Sequence, residues 1–197
     1  MLKSLAASAE FPVIETPRLR LRHHRLGDFP ACRAMWADPT VTQFIGGRPL
    51  TEEEAWVKFL RNAGHWPLLG FGFWVLEEKF TSAFAGEIGL AYFHRELVPP
   101  VENLREAGWI LSPAMHGKGY ATEAGARIVA FAFEVLNAEK LAAGWFYDNP
   151  ASGRVLEKLG FGACGEEARS CLSRGSGVQC RMVVLDRAAY MTRKSAS

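Results

Sequence analysis

A chain of 197 residues, 49% of them hydrophobic and thirteen of them phenylalanine, is long enough for one substantial core and short for two domains. Its 23 basic and 21 acidic residues leave a net charge of +2, which makes no electrostatic case for a nucleic-acid or membrane-surface partner. Residues 1–11 hold no sustained apolar run before Glu10, and no stretch is long enough to cross a bilayer, so the expectation is one cytoplasmic domain over 1–197 with its core at about 14–190.

The alternation Arg18-Leu19-Arg20-Leu21-Arg22 after Thr16-Pro17 predicts a half-buried strand with a solvated basic face. Asp28 and Pro30 open a helix to about Ala37, which Asp38-Pro39 ends. Residues 41–47 read as a connecting loop. Thr51-Glu52-Glu53-Glu54 starts a capping-box helix that should stop near Gly64. Residues 72–76 and 84–92 read as a hairpin, and 94–103, with Pro99-Pro100, as a surface loop. A strand at 107–111 precedes a glycine turn and a helix to Leu136, whose residues Ala121, Ala124, Ile128, Ala132 and Val135 share an apolar face. A strand at 141–147 leads to a helix with Asn149 at its N-cap, Pro150 in its first turn and Gly160 at its end. Two C-terminal strands, one at 178–185, precede a loose tail at 193–197. Cys32, Cys164, Cys171 and Cys180 lack paired metal-ligand spacing and a close histidine cluster, so structural thiols and no metal are expected.

The turn at Met115-His116-Gly117-Lys118-Gly119-Tyr120-Ala121-Thr122 organises the chemistry. Glycines let the backbone turn tightly and approach a ligand, and the first N–H groups of a helix have no partners within it. With the helix dipole and Lys118 adding positive charge, pyrophosphate is the ligand to suspect. Gly117-x-Gly119 also resembles the start of a dinucleotide fingerprint, with Glu139 downstream. Thr122 replaces its third glycine, however, and the turn lies past mid-chain, so that reading is rejected.

His116-Gly117-Lys118-Gly119-Tyr120-Ala121 resembles the coenzyme A loop of the GNAT superfamily of acetyl-CoA-dependent N-acetyltransferases, Gln or Arg followed by x-x-Gly-x-Gly/Ala, with His116 departing at the first position. The run from Gly117 to Ala124 is similar to the branch that includes ribosomal-protein N-terminal (RimJ/RimL-like) acetyltransferases. Asn149-Pro150-Ala151-Ser152-Gly153-Arg154 and on to Phe161 resembles the superfamily's second motif, and the resemblance spans residues 14–190. It implies an α+β fold: a central mixed, mostly antiparallel sheet of six or seven strands with helices on both faces, two strands splaying apart to admit the pantetheine arm.

The resemblance implies acetyl-CoA as cosubstrate, held by Ile110, Leu111, Ser112, His116, Gly117, Lys118, Gly119, Tyr120, Ala121, Thr122, Asn149 and Ser152. It implies an amine acceptor, of a protein N-terminus or a small molecule, near Trp36 and Phe44, and leaves a homodimer open. Direct attack needs a base, a stabilised oxyanion and a donor to the leaving thiolate. Glu106 is the first choice of base and Glu87 its competitor, each also readable as an ion-paired strand residue. Ser152 is the thiolate donor with Tyr147 in reserve, while an ordinary first-turn role for Ser152 and an N-cap role for Asn149 stand beside these. The alternative of a different class is a CoA-binding sensor or interaction domain without turnover.

Overall fold

In the computed structural model, which describes residues 11–94, 97–98, 104–163, 169–171 and 178–196, apolar alternation builds the sheet from its first edge. β1 (Ile14–Glu15) folds back on β2 (Leu19–Arg22), where Leu19 and Leu21 are fully buried. The expected solvated basic face is only partly so. Arg22 is buried, gripping Asp28 through both terminal nitrogens at 2.7 and 2.8 Å and Glu77 through Nε at 2.7 Å. Fork geometry satisfies three donors at once, which is what lets the guanidinium leave water.

α1 (Phe29–Trp36) and the single turn α2 (Pro39–Thr42) follow, so the segment expected as a loop from residue 41 begins inside a helix. Thr51 and Glu54 form the expected capping box of α3 (Glu52–Leu69), but the helix runs past Gly64 to a left-handed cap at Gly70. A helical glycine costs about 1 kcal/mol. The next turn recovers more by burying Trp66 against Trp74 and Phe131 and donating its Nε1–H to the Phe73 carbonyl at 2.9 Å.

β3 (Phe73–Glu78) and β4 (Phe84–Ala91) make the expected hairpin. The stretch expected as a surface loop contains β5 (Leu97–Val98), while residues 95–96 and 99–103 of it lie outside the described residues. Next come β6 (Glu106–Leu111), α4 (Tyr120–Ala130) continued by a π-helical turn at Phe131–Val135, β7 (Lys140–Phe146) and α5 (Pro150–Leu159). β8 (Gly162–Ala163), β9 (Arg169–Cys171) and β10 (Val178–Asp186) lead to α6 (Arg187–Ser195). The expected loose tail is therefore mostly helix. Asp186 caps it by accepting from Ala189 N–H at 2.8 Å, Tyr190 stacks on Phe133, and Lys194 pairs with Glu134 at 2.6 Å.

The sheet order is β1-β2-β3-β4-β6-β7-β10-β9-β5, with β8 also on β10, and six strands have four or more residues. Among the described residues every pairing is antiparallel except β6 with β7. α1 and α3 cover one face, where Cys32, Met35, Trp36 and Phe59 meet Ile110. α4 and α5 cover the other, where Ala124, Ile128 and Leu156 meet Leu19, Leu76 and Ile88. This is the α+β arrangement expected. Because the buried Arg22 is the common partner of two half-buried carboxylates, Arg22→Met should lower the unfolding free energy by about 3 kcal/mol in urea titrations; a change under about 0.5 kcal/mol would show the pairs to be dispensable.

Candidate active site

β6 stays paired with β4 along all six residues, and β7 with β10 along all seven, but β6 and β7 meet only at Glu106–Ala142 and Ala107–Ala143. Each strand follows its outer neighbour, and the sheet splits between them. Backbone groups of alternate residues point to opposite edges of a strand. Ala142 N–H donates to the Arg105 carbonyl and Ser112 N–H to the Ala85 carbonyl, each at 3.0 Å, so the odd-numbered residues of β6 face β7. Beyond Ala107 those residues are Trp109 and Leu111, whose N–H groups therefore open into the gap with no strand to receive them.

Two cavities meet in this gap. One, of about 370 Å³, lies under α1 and α3 and is walled by Trp36, Phe44, Phe73, Trp109 and Trp145, with Lys58, Arg61 and Asn62 from α3. The other, of about 500 Å³, runs past Leu111 to the loop before α4, with Arg154 and Lys158 of α5 along its side. Trp109, Ile110, Asn149 and Ser152 border both. Volumes in this range suit small ligands.

The loop has the conformation its glycines were expected to allow. Gly117 and Gly119 have φ of +74° and +79°, and a Cβ at Gly117 would meet nothing within 4 Å, so the open cradle is a property of the backbone. The first intrahelical bond of α4 runs from Glu123 N–H to the Gly119 carbonyl at 3.0 Å. The amides of Tyr120, Ala121 and Thr122 precede it and remain available. The loop is pinned from behind: Glu123 accepts from Thr16 Oγ1 at 2.6 Å and Arg18 Nε at 2.6 Å, Arg18 donates to the Lys118 carbonyl at 2.8 Å, and the Tyr120 hydroxyl donates to Glu78.

Of the residues expected to hold cofactor, Ile110, Leu111, His116, Gly117, Gly119, Tyr120, Ala121, Thr122, Asn149 and Ser152 line the larger cavity. Lys118 and Ser112 do not. The Lys118 ammonium turns back to 3.8 Å from Glu78, and the Ser112 amide is spent on Ala85. His116 Nε2 lies 3.0 Å from the Leu111 carbonyl, so it braces the loop against β6. Asn149 caps α5, its Oδ1 accepting from Ser152 N–H at 3.2 Å, and still borders both cavities.

The two candidate bases share the face of the sheet under α1 and α3, and neither lines a cavity. Glu106 sits where β6 and β7 are still paired, is 7% exposed, and is separated from Ile110 on its own face by Gly108, which lacks a side chain and borders the smaller cavity. Glu87 is fully buried. His24 Nε2 lies 2.7 Å from it, Asn62 Nδ2 donates at 2.9 Å, Trp36 Nε1 at 3.1 Å and the Cys32 thiol at 3.5 Å. Burial pushes its carboxyl up, but the His24, Asn62 and Trp36 contacts outweigh it and hold the group below the ordinary carboxylate range. Tyr147, the reserve acid, lies outside both cavities, half exposed, with Arg181 over its ring. Cys32 is buried and its thiol is pushed far up by burial and by Glu87. Cys164 and the side chain of Cys171 lie outside the described residues.

Sequence reasoning missed Arg154 and Lys158, one turn apart on α5 within the second motif, and Lys58, Arg61 and Asn62 on α3. The i, i+3, i+4 spacing of the last three was a usable signal, since it sets them on one helix face. Among the described residues no group of His, Cys, Asp and Glu is arranged to hold a metal, and no helix is long and apolar enough to cross a membrane.

Comparison with known proteins agrees with this geometry. Residues 18–162 match the family described as "Acetyltransferase (GNAT) domain". The chain is 30% identical over 156 residues to the uncharacterised N-acetyltransferase YoaA of Bacillus subtilis (strain 168), covering 77% of this chain and 83% of that one. Its fold is similar to spermidine N-acetyltransferase from Vibrio cholerae, solved with CoA and spermine, with a TM-score of 0.69, 19% identity, and 88% and 98% of the two chains covered. It is also similar to ribosomal-protein-S5-alanine acetyltransferase from Vibrio fischeri, with a TM-score of 0.72, 16% identity, and 89% and 97% covered. The chain belongs to the GNAT acetyltransferase family, and it is an acetyltransferase enzyme.

A carboxyl whose folded pKa lies below its unfolded value near 4 stabilises the fold above that value and ceases to do so as pH falls through the folded pKa. Glu87→Gln turns one acceptor into a donor facing other donors. It should cost about 2 kcal/mol at neutral pH, the difference from the parent shrinking below pH 4. Thermal unfolding measured from pH 7 to pH 3 checks this, and a gap that widens on acidification would show that Glu87 is held protonated.

Proposed function

We propose that the protein moves the acetyl group of acetyl-CoA to a primary amine, on a protein N-terminus or a small molecule, by direct attack with both substrates bound. The observation that carries this reading is the junction of two cavities at Trp109, Ile110, Asn149 and Ser152. The larger fits the cofactor: open amides and glycines at one end suit pyrophosphate, Arg154 and Lys158 suit further phosphate charge, and the unpaired edge of β6 suits the amides of a pantetheine arm. The smaller has room for an acceptor alongside it.

Acetyl-CoA supplies a thioester-activated acetyl group. The N–H of Leu111 or Trp109 polarises the carbonyl as negative charge develops, a fixed backbone dipole that needs no reorganisation. Ser152 donates to the departing sulfur, and the Asn149 amide nitrogen hydrogens orient the arm while its oxygen holds the helix cap. Glu106 accepts the amine proton through water past Gly108, beside the Phe73 and Phe93 rings that approach the strand there. Glu87 acts instead as a positioning residue, since its contacts fix Trp36, Asn62, His24 and Cys32. With Cys32 buried and its thiol held protonated, the acetyl group passes directly to the amine.

Gly119→Val forces a β-branched residue to φ +79° with its Cβ 3.5 Å from the Arg18 guanidinium behind the loop, so the turn must distort and acetyl-CoA affinity by calorimetry should fall at least about 100-fold in a folded variant. Parent affinity there would overturn the cradle. Acetyl-CoA alone should leave the intact mass unchanged, and free CoA should appear only with amine; binding without amine-dependent release would favour a sensor. Glu106→Gln should slow single-turnover transfer about 100-fold below the acceptor's pKa and recover in part above it. A parental pH profile for that variant would remove Glu106 from the mechanism.

A further inference from the structure

Lys58 and Arg61 both line the acceptor cavity, and among the described residues neither is held in an ion pair. They lie one turn apart on α3, and both line the smaller cavity and not the larger, where Arg154 and Lys158 already serve the cofactor side. No carboxylate lines that smaller cavity among the described residues. Among the described residues neither cation lies within ion-pair distance of a carboxylate: Lys58 Nζ rests 4.2 Å from the centre of the Trp36 ring, and Arg61 lies near Phe93 and reaches Asn62 Oδ1 at 3.4 Å. On the outer side of the helix Glu53 and Glu54 border a depression with both cations, and Glu54 there is held by both terminal nitrogens of Arg48 at 2.6 and 2.8 Å. Glu87, behind the wall, has its oxygens occupied by His24, Asn62 and Trp36.

A cation drawn from water into an aromatic pocket is stabilised by whatever anion enters with the ligand. Burial, with the Arg61 charge beside it, lowers the Lys58 ammonium to about 8, although Glu87 behind the wall acts the other way. A second ammonium on the acceptor would meet two like charges there.

We propose that the acceptor is a small amine that also carries a carboxylate or phosphate, its anion seated on Lys58 and Arg61, its apolar body against Trp36, Phe44 and Phe73, and its amine turned to Ile110 and Ser152. The inference rests on the acetyl-transfer reading and names the substrate class for that site. Polyamines and uncharged amines are excluded as preferred acceptors.

The test compares CoA release with matched amines: aromatic and aliphatic α-amino acids against their amides, phosphoethanolamine against ethanolamine, and spermidine. The amide's amine is the less basic of each amino-acid pair, so a preference for the acid cannot come from amine ionisation. Each anionic amine should exceed its uncharged partner in kcat/KM by about 10-fold or more, the worth of a charge-assisted hydrogen bond. Which pair is used best separates carboxylate from phosphate. In Lys58→Met, Arg61→Met and the double variant, the ratio should fall towards one, a change that loss of folding alone does not produce. Equal use of acid and amide, or preference for spermidine, overturns the proposal while leaving acetyl transfer standing. If no amine releases CoA although acetyl-CoA binds, the transfer reading fails instead. Fluorescence of the cavity tryptophans then still decides: quenching by the anionic amines that disappears in the double variant supports the anion seat, and a response equal for acid and amide or absent from both refutes it.

Discussion

The split between β6 and β7 is the constraint on which everything else depends. Two parallel pairs hold the strands at Glu106 and Ala107, after which each keeps only its antiparallel partner. A buried strand edge with open N–H groups is costly unless something pairs with it. The fold tolerates that edge because it lies at a cavity rather than in the core, and because the loop before α4 and the N-terminus of α5 close round it. Those two helix starts also bring the available amides of Tyr120–Thr122 and the Asn149 cap to opposite sides of one opening. In the proposed reading, binding and chemistry both follow from a sheet that fails to continue.

The acceptor side rests on a different device. Glu87 lies on β4 but takes its contacts from His24 after β2, Cys32 and Trp36 on α1, and Asn62 on α3. One buried carboxylate therefore fixes the two helices that roof the smaller cavity. With Nε2 directed at the carboxylate, His24 Nδ1 is buried without a hydrogen-bond partner. The arrangement is expensive to bury and specifies one geometry, which suits a wall that must hold Lys58, Arg61 and Asn62 in place.

The cofactor side was legible in the sequence because its parts are contiguous. Gly117 and Gly119 need left-handed backbone, Asn149-Pro150 starts a helix, and both signals are local chemistry. The acceptor side was legible only in Trp36 and Phe44, since Lys58, Phe73, Trp109 and Trp145 come from four further elements and meet only after folding. Local rules also failed where tertiary burial outweighs them. Gly64 did not stop α3 because Trp66 beyond it has a place in the core, and Arg22 left the solvent because Asp28 and Glu77 converge on it. The C-terminal helix did carry a signal in Asp186 before Ala188-Ala189-Tyr190, an N-cap that the polar run after it obscures. The Lys118 ammonium, in contrast, lies 3.8 Å from Glu78, a long-range contact that the motif itself does not reveal.

The central claim is that the opening between β6 and β7 seats the cofactor arm with its sulfur at the junction of the two cavities. A crystal structure with CoA tests it most directly. The account predicts pyrophosphate on the amides from Gly117 to Thr122, pantetheine amides paired with the backbone of Trp109 and Leu111, and the thiol beside Ser152 and Ile110. A cofactor arm lying outside that opening, with β6 and β7 unoccupied between them, would contradict it.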